Sequence, residues 1–135
     1  MTMTSVLRVG DVMSFNPVVV APDDSASEAE RRIKTYRVSG LPVVDDGIAV
    51  GVVSQTDLGV AHSSEMIAAN WPRVLVRHLM SAPAVTVHLG TSIEHAARLM
   101  ISQHIHRLVV VDDEDRAIGV VSSLDLLKAI VDDAV

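Results

Sequence analysis

Two stretches of the sequence, Gly51-Val52-Val53-Ser54-Gln55-Thr56-Asp57-Leu58 and Gly119-Val120-Val121-Ser122-Ser123-Leu124-Asp125-Leu126, share the pattern G-V-V-S-x-x-D-L. Each sets a hydroxyl and a carboxylate three positions apart, where a β-branched run gives way to helical spacing. Two chemistries suit that arrangement. The hydroxyl can cap the first backbone N–H groups of a helix, with the carboxylate in the favourable first turn. The same carboxylate can accept hydrogen bonds from the vicinal hydroxyls of a ribose, as acidic residues do in dinucleotide-binding folds, while its charge disfavours a phosphate beside it. The doubling of the motif after the same apolar run strengthens the second reading without removing the first.

Other chemistries find little support. The chain has no cysteine, which excludes a disulfide framework, a thiolate metal site and a cysteine nucleophile. His104 and His106 form an H-x-H pair, with His78, His88 and His95 elsewhere. Without cysteine or an H-E-x-x-H helix they read as ordinary surface histidines, and no metal is expected. No Ser, His and Asp set has triad spacing, and the glycines of a phosphate-cradling loop are missing, so no catalytic residue is expected. The acidic turns Asp45-Asp46 and Asp112 to Asp115 read as solvated hairpin tips, and the apolar residues around Leu99-Met100 as core. Lys plus Arg number 11 against 17 Asp plus Glu, a net charge of −6. With no run of five like charges, neither duplex nucleic acid nor a membrane surface is an expected partner. Phe15, Tyr36 and Trp71 are too few to stack bases, so a planar ligand would be held by aliphatic walls.

An internal repeat must position the two motifs. Val9-Gly10-Asp11-Val12-Met13-Ser14 aligns with Val76-Arg77-His78-Leu79-Met80-Ser81 at an offset of 67, and Leu41 to Asp46 with Leu108 to Asp113 at the same offset. After one inserted residue the paired motifs fall into register at an offset of 68. In each copy a β-branched run (Val18 to Val20, Val85 to Val87) precedes a helix capped at Asp24 or Ser25, and at Thr91 or Ser92. A hairpin follows (Leu41 to Val44 with Ile48 to Val53; Leu108 to Val111 with Ala117 to Val121), then an amphipathic segment, Gln55 to Ala68 or Ser123 to Asp132. Asn70-Trp71-Pro72 marks the break between copies. The expected class is α+β, with two β-α-β-β-α units packed sheet to sheet about a pseudo-twofold axis. The expected division is residues 1–70 and 71–135, together one domain, because a unit of roughly 60 residues buries little alone.

The V-G-D-V-M lead, the V-V-V and V-T-V strands, I-H-R-L-V-V-V-D and the doubled G-V-V-S-x-x-D-L together resemble a tandem cystathionine-β-synthase (CBS) domain pair, or Bateman module, over about residues 9 to 130. The resemblance implies a non-enzymatic regulatory module that binds adenosine-containing ligands in clefts between the repeats: AMP, ADP or ATP, with S-adenosylmethionine or NAD as alternatives. No cofactor is required, and an adenine nucleotide is the regulatory ligand. One implied site joins Ser54, Thr56 and Asp57 to Ala84, Val85, Ile105, His106 and Arg107. The other joins Ser122 and Asp125 to Pro17, Val18, Val38, Ser39 and Gly40. The first has Thr56 and a His106-Arg107 pair able to meet a phosphate. The second has Leu124 and Ser39-Gly40 at those places, and is expected to be weaker or to take a less charged adenosyl ligand.

The resemblance also implies a homodimer and an effector protein as partners. Leu58, Val60, Met66 and Ile67, with Leu126, Leu127, Ile130 and Val131, are the apolar side chains expected to meet across the dimer. The rival reading is a protein-interaction or oligomerisation module whose motifs are helix caps alone. Apolar residues make up 49% of the chain, in runs too short to span a bilayer, and Met1 to Arg8 carries no export signal. A soluble, cytoplasmic protein is expected.

Overall fold

Apolar runs punctuated by polar caps fold, in chain order, into α1 (Val9–Val12), β1 (Ser14–Phe15), α2 (Ala26–Tyr36), β2 (Gly40–Asp45), β3 (Ile48–Ser54), α3 (Gln55–His62), α4 (Glu65–Ala69), α5 (Val76–Leu79), β4 (Thr86–His88), α6 (Ile93–Gln103), β5 (Arg107–Val111), β6 (Ala117–Ser122) and α7 (Ser123–Ala134). A 3-10 turn, Trp71–Arg73, lies between α4 and α5. The structure, a computed structural model, describes residues 7–15 and 18–134.

The chain forms two compact α+β units. One is continuous, Val18–Ala84; the other is split, its described residues being 7–15 together with those from Val85 onward. This division differs from the expected 1–70 and 71–135, because each lead segment adds to the body of the other repeat. In the split unit the lead supplies β1, which pairs antiparallel with β6 at Ser14 and Val120, and the sheet order is β1-β6-β5-β4. In the continuous unit Ser81, the equivalent of Ser14, bridges Val52 of β3. The leads dock alike at their other ends. Val9 and Gly10 donate to the carbonyls of Thr91 and Leu89 (2.8 and 2.9 Å), as Val76 and Arg77 donate to those of Asp24 and Pro22 (2.8 and 2.9 Å).

The two long helices start and stop for the same reasons. Ser25 and Ser92 accept the backbone N–H of Glu28 and His95 (3.0 and 3.1 Å), satisfying one orphan donor of each first turn. Ala26, Ala29 and Ile33 of α2, and Ile93, Ala96 and Met100 of α6, form the buried stripes. Arg37 and His104 then enter the left-handed region (φ 54° and 55°) and end the helices. Both β2–β3 and β5–β6 are antiparallel hairpins whose register shifts at Val43/Val44 and at Val110/Val111. The first turns on Asp46-Gly47, both at positive φ (50° and 84°), the conformation a two-residue hairpin demands.

Two further expectations are corrected. Val18 to Val20 forms only one parallel bridge, Val20 to Val43, where a strand was expected. The expected segment Gln55 to Ala68 is broken at Ser63-Ser64, where Ser64 caps α4 by accepting from Ile67 N (3.4 Å). The lead segments, given no structure from sequence, each form one helical turn. Each unit has its own apolar core. That of the continuous unit is built around Val20, Ile33, Leu41, Val43, Val53 and Val76, and that of the split unit around Val9, Val87, Met100, Leu108, Val110 and Val121. Among the described residues no polar or charged side chain is buried.

Candidate functional site

Each G-V-V-S-x-x-D-L motif ends a hairpin strand and opens a helix, and in both the serine and aspartate close on one another. Asp57 N–H donates to Ser54 Oγ (3.1 Å) and Ser54 N–H to Asp57 Oδ2 (2.7 Å). Asp125 N–H donates to Ser122 Oγ (3.1 Å) and Ser122 N–H to Asp125 Oδ2 (2.8 Å). Both are reciprocal capping boxes. The cap engages one carboxylate oxygen and leaves Oδ1 outside it, so a carboxylate of fixed orientation stands at each strand-to-helix turn. Asp57 and Asp125 are both half-buried. The capping and ligand readings of the sequence are therefore compatible in one residue.

A second constraint ties each turn to the start of its own hairpin. Gly40 pairs with Ser54, and Gln55 N–H donates to the Ser39 carbonyl (2.8 Å). Arg107 pairs with Ser122, and Ser123 N–H donates to the His106 carbonyl (2.8 Å). Within the continuous unit the fold thus brings Val38, Ser39 and Gly40 to the turn of Ser54, Thr56 and Asp57. Within the split unit it brings Ile105, His106 and Arg107 to the turn of Ser122 and Asp125. The residues expected in either cleft are divided between the units. Ser54, Thr56, Asp57 and Ala84 lie in one, with Val85, Ile105, His106 and Arg107 in the other; Ser122 and Asp125 are likewise separated in sequence unit from Val18, Val38, Ser39 and Gly40. Pro17 lies outside the described residues.

The side chains available at these turns differ in polarity. Val18, Val38, Val85 and Ile105 are partly buried aliphatic residues packed against the two cores, the kind of wall a planar ligand needs when aromatics are absent. Thr56 and His106 are exposed, Gly40 is buried, and Leu124 is 74% exposed. Arg107 is half-buried, and its removal from water lowers its pKa from the ordinary value. A guanidinium retains its charge at neutral pH even so, and its partial desolvation strengthens any pairing it makes.

An arginine-glutamate cluster stands beside Val18. Glu28 Oε1 accepts from Arg31 Nη2 (2.6 Å) and from Arg32 Nε (2.8 Å), and Arg32 Nη1 reaches the Val19 carbonyl. Hydrogen bonds from Arg31 and then Arg32 hold the Glu28 carboxyl down at about 2. The signal was present as E-x-x-R-R at i, i+3 and i+4 on a helix. Its partner, a main-chain carbonyl thirteen residues back, left no trace in the sequence. Among the described residues no group of three His, Cys, Asp or Glu could hold a metal, and no helix is long and apolar enough to cross a membrane.

The sequence pattern of the CBS domain matches residues 9–59 and again 76–132. Over 125 residues the chain is 31% identical to an inosine-5′-monophosphate dehydrogenase of Methanocaldococcus jannaschii, spanning 92% of this chain and 24% of that enzyme. It is 27% identical to the uncharacterized protein MK0525 of Methanopyrus kandleri, spanning 90% of this chain and 62% of the relative. The chain therefore covers less than two-thirds of either relative. Among solved structures it is similar to CBSX2 in complex with AMP, at 34% identity over 93% of this chain and 96% of that one, with a TM-score of 0.81. It is also similar to the CBS domain pair of MJ0100 in complex with 5′-methylthioadenosine and S-adenosyl-L-methionine, at 25% identity over 93% and 97%, with a TM-score of 0.83.

Proposed function

Because the chain belongs to the CBS domain family, we propose that it is a non-catalytic regulatory module whose ligand is an adenosine-containing molecule, AMP foremost, with Asp57 as the principal ribose-binding residue. The observation that carries this reading is the oriented carboxylate at the turn into α3, anchored through Oδ2 to Ser54 N–H (2.7 Å) with Oδ1 outside the cap. A fixed acceptor of that kind suits a ribose diol. The AMP complex of CBSX2, 34% identical to this chain, supports the choice of ligand. The side chains assigned with Asp57 are Ser54, Thr56, Ala84, Val85, Ile105, His106 and Arg107. In that set Arg107 is the phosphate partner and the aliphatic residues hold the base.

The Asp125 set has Leu124 in place of the threonine and Ser39-Gly40 in place of His-Arg. No cation is among the residues assigned to it, since Arg107, whose backbone pairs with Ser122, is assigned to the other set; it is therefore given a weaker affinity or an adenosyl ligand of lower charge. The MJ0100 complex, which holds S-adenosyl-L-methionine and 5′-methylthioadenosine, supports adenosyl ligands of that lower charge for the family fold. Signalling then requires that ligand favour one arrangement of the module over another, since equal affinity for both shifts nothing. A cytoplasmic homodimer acting on an effector protein completes the proposal. The exposed Leu127, Ile130 and Val131 of α7, with Val60 and Met66, support a dimer, whereas Leu58 and Leu126 are buried within their own units and Ile67 packs against its core.

Thermal unfolding with adenosine, AMP, ADP, ATP, NAD, S-adenosylmethionine and GTP tests the reading. Ligand at a hundredfold its Kd adds about 2.7 kcal/mol to stability. The expected result is an adenine-selective rise that is lost in Asp57→Ala and largely kept in Asp125→Ala. No rise with any compound would return the protein to the interaction-module reading, and equal losses in the two variants would remove the ranking of sites.

A further inference from the structure

The linker between the repeats lines an open cleft of about 280 Å³, and we propose that it is a binding site for a small aliphatic carboxylate, separate from the adenosyl-ligand residues. Its walls are Ile67 of α4, Val74 of the linker and Leu79 of α5, with Met66 at the mouth. Arg73, His78 and Asn70 complete the lining, and no acidic side chain takes part. None of these residues belongs to either set assigned to the adenosyl ligand.

The polar groups of the rim define the sign of the ligand. His78 Nδ1 accepts the backbone N–H of Leu75 (3.0 Å), so the proton of the neutral ring sits on Nε2, which is a donor. Arg77, close by in sequence, is paired with Asp23 (3.0 Å), but Arg73 makes no ion pair among the described residues. The amide nitrogen of Asn70 donates one N–H to the Met66 carbonyl (2.8 Å), and its second N–H is a further neutral donor at the cleft. A guanidinium and an imidazole N–H beside aliphatic walls, with no carboxylate to compete, suit an anionic head on an apolar tail. The apolar floor would leave a bare inorganic anion without contacts over most of its surface. A cleft of this size, just below the roughly 300–1,000 Å³ common for ligand sites, suits a short chain better than a nucleotide.

The site also has a mechanical place. α4 follows α3, the helix that Asp57 caps, and α5 leads to Ser81, whose N–H and carbonyl both pair with Val52 of β3 (2.9 and 3.0 Å). A ligand joining α4 to α5 would therefore brace the two flanks of the Asp57 turn.

Octanoate titrated into the whole protein, followed by backbone amide resonances, tests the assignment. Saturable shifts are expected at residues 66–79, weakened about tenfold or more in Arg73→Gln, retained in Arg73→Lys and abolished in Arg73→Glu. Arg73 is exposed, and unchanged unfolding temperatures in these variants would show that the fold is intact. Octanol should bind about tenfold more weakly than octanoate, and acetate should not saturate. Octanol binding as tightly as octanoate, equal binding by Arg73→Gln, or shifts confined to the exposed apolar face of α7 would each overturn the proposal.

Discussion

A single oxygen separates the structural from the functional role of Asp57. Oδ2 closes the capping box and Oδ1 does not, so replacements can divide the two roles. Asp57→Asn keeps an acceptor for the Ser54 N–H but removes the charge. We expect it to cost less than about 1 kcal/mol in urea unfolding while removing most of the AMP-induced stabilisation. Ser54→Ala and Ser122→Ala should each destabilise by about 1 kcal/mol, the worth of a cap, by the same measurement. Glu28 gives a pH test of sign. Its carboxyl is lowered from 4.5 to about 2 by Arg31 and Arg32, so its contribution is fully present above pH 4.5 and is lost as the pH falls through about 2. Melting curves of the protein and of Glu28→Gln should differ above pH 4.5 and converge near pH 2. A difference that grows on acidification would refute the arginine contacts as its cause. These residues were partly legible: the S-x-x-D spacing announced the cap, but the neighbour that Arg32 reaches did not show.

Among the elements, the leads were visible as repeats and invisible as structure. Four-residue helical turns have no amphipathic period, and a two-residue strand has no alternation, so neither reaches the length at which pattern speaks. What fixes them is close backbone approach. A Cβ on Gly51 would lie 2.7 Å from the Ser81 carbonyl oxygen, and one on Gly119 would lie 2.6 Å from that of Ser14. Gly51→Ala and Gly119→Ala should therefore each destabilise by about 1–3 kcal/mol, as overpacking does. Gly59, inside α3, meets nothing within 4 Å, and Gly59→Ala should stabilise by about 0.5–1 kcal/mol. Denaturant midpoints of the three variants check the contrast, and a loss in Gly59→Ala would contradict the open space seen there. The break at Ser63-Ser64 was legible in hindsight only, since two serines end a helix only when their hydroxyls find better partners. Here Ser63 Oγ donates to the Val60 carbonyl (2.6 Å) and Ser64 Oγ accepts from Ile67 N–H (3.4 Å).

For the whole molecule, the exchange of leads makes the two halves unequal in connectivity though alike in pattern. The continuous unit, Val18–Ala84, contains in one stretch of chain the lead it uses, that of the second repeat, while the split unit depends on the first repeat's lead, delivered from the N-terminal side. Residues 18–84 expressed alone should unfold cooperatively. Residues 85–135 alone should not, because Val9 and Met13, both in the core of that unit, would be missing. Circular dichroism of the two fragments decides this, and a cooperative transition in 85–135 would show the lead to be dispensable.

Local pattern alone yields the doubled unit, the α+β class, the hairpins and the capped turns that hold Asp57 and Asp125. Each of those follows from local spacing, from β-branching and from where a polar residue meets the start of a helix. Long-range packing settles which lead belongs to which body, and that Leu58 and Leu126 turn inward while Leu124 and Leu127 stay exposed. It also assembles the linker cleft from α4, the 3-10 turn and α5. The reason is the same in all three cases: a segment's pattern states that an apolar face must be covered, and the choice among several coverings of similar period is made by packing volume and by backbone hydrogen bonds to residues far away in the chain.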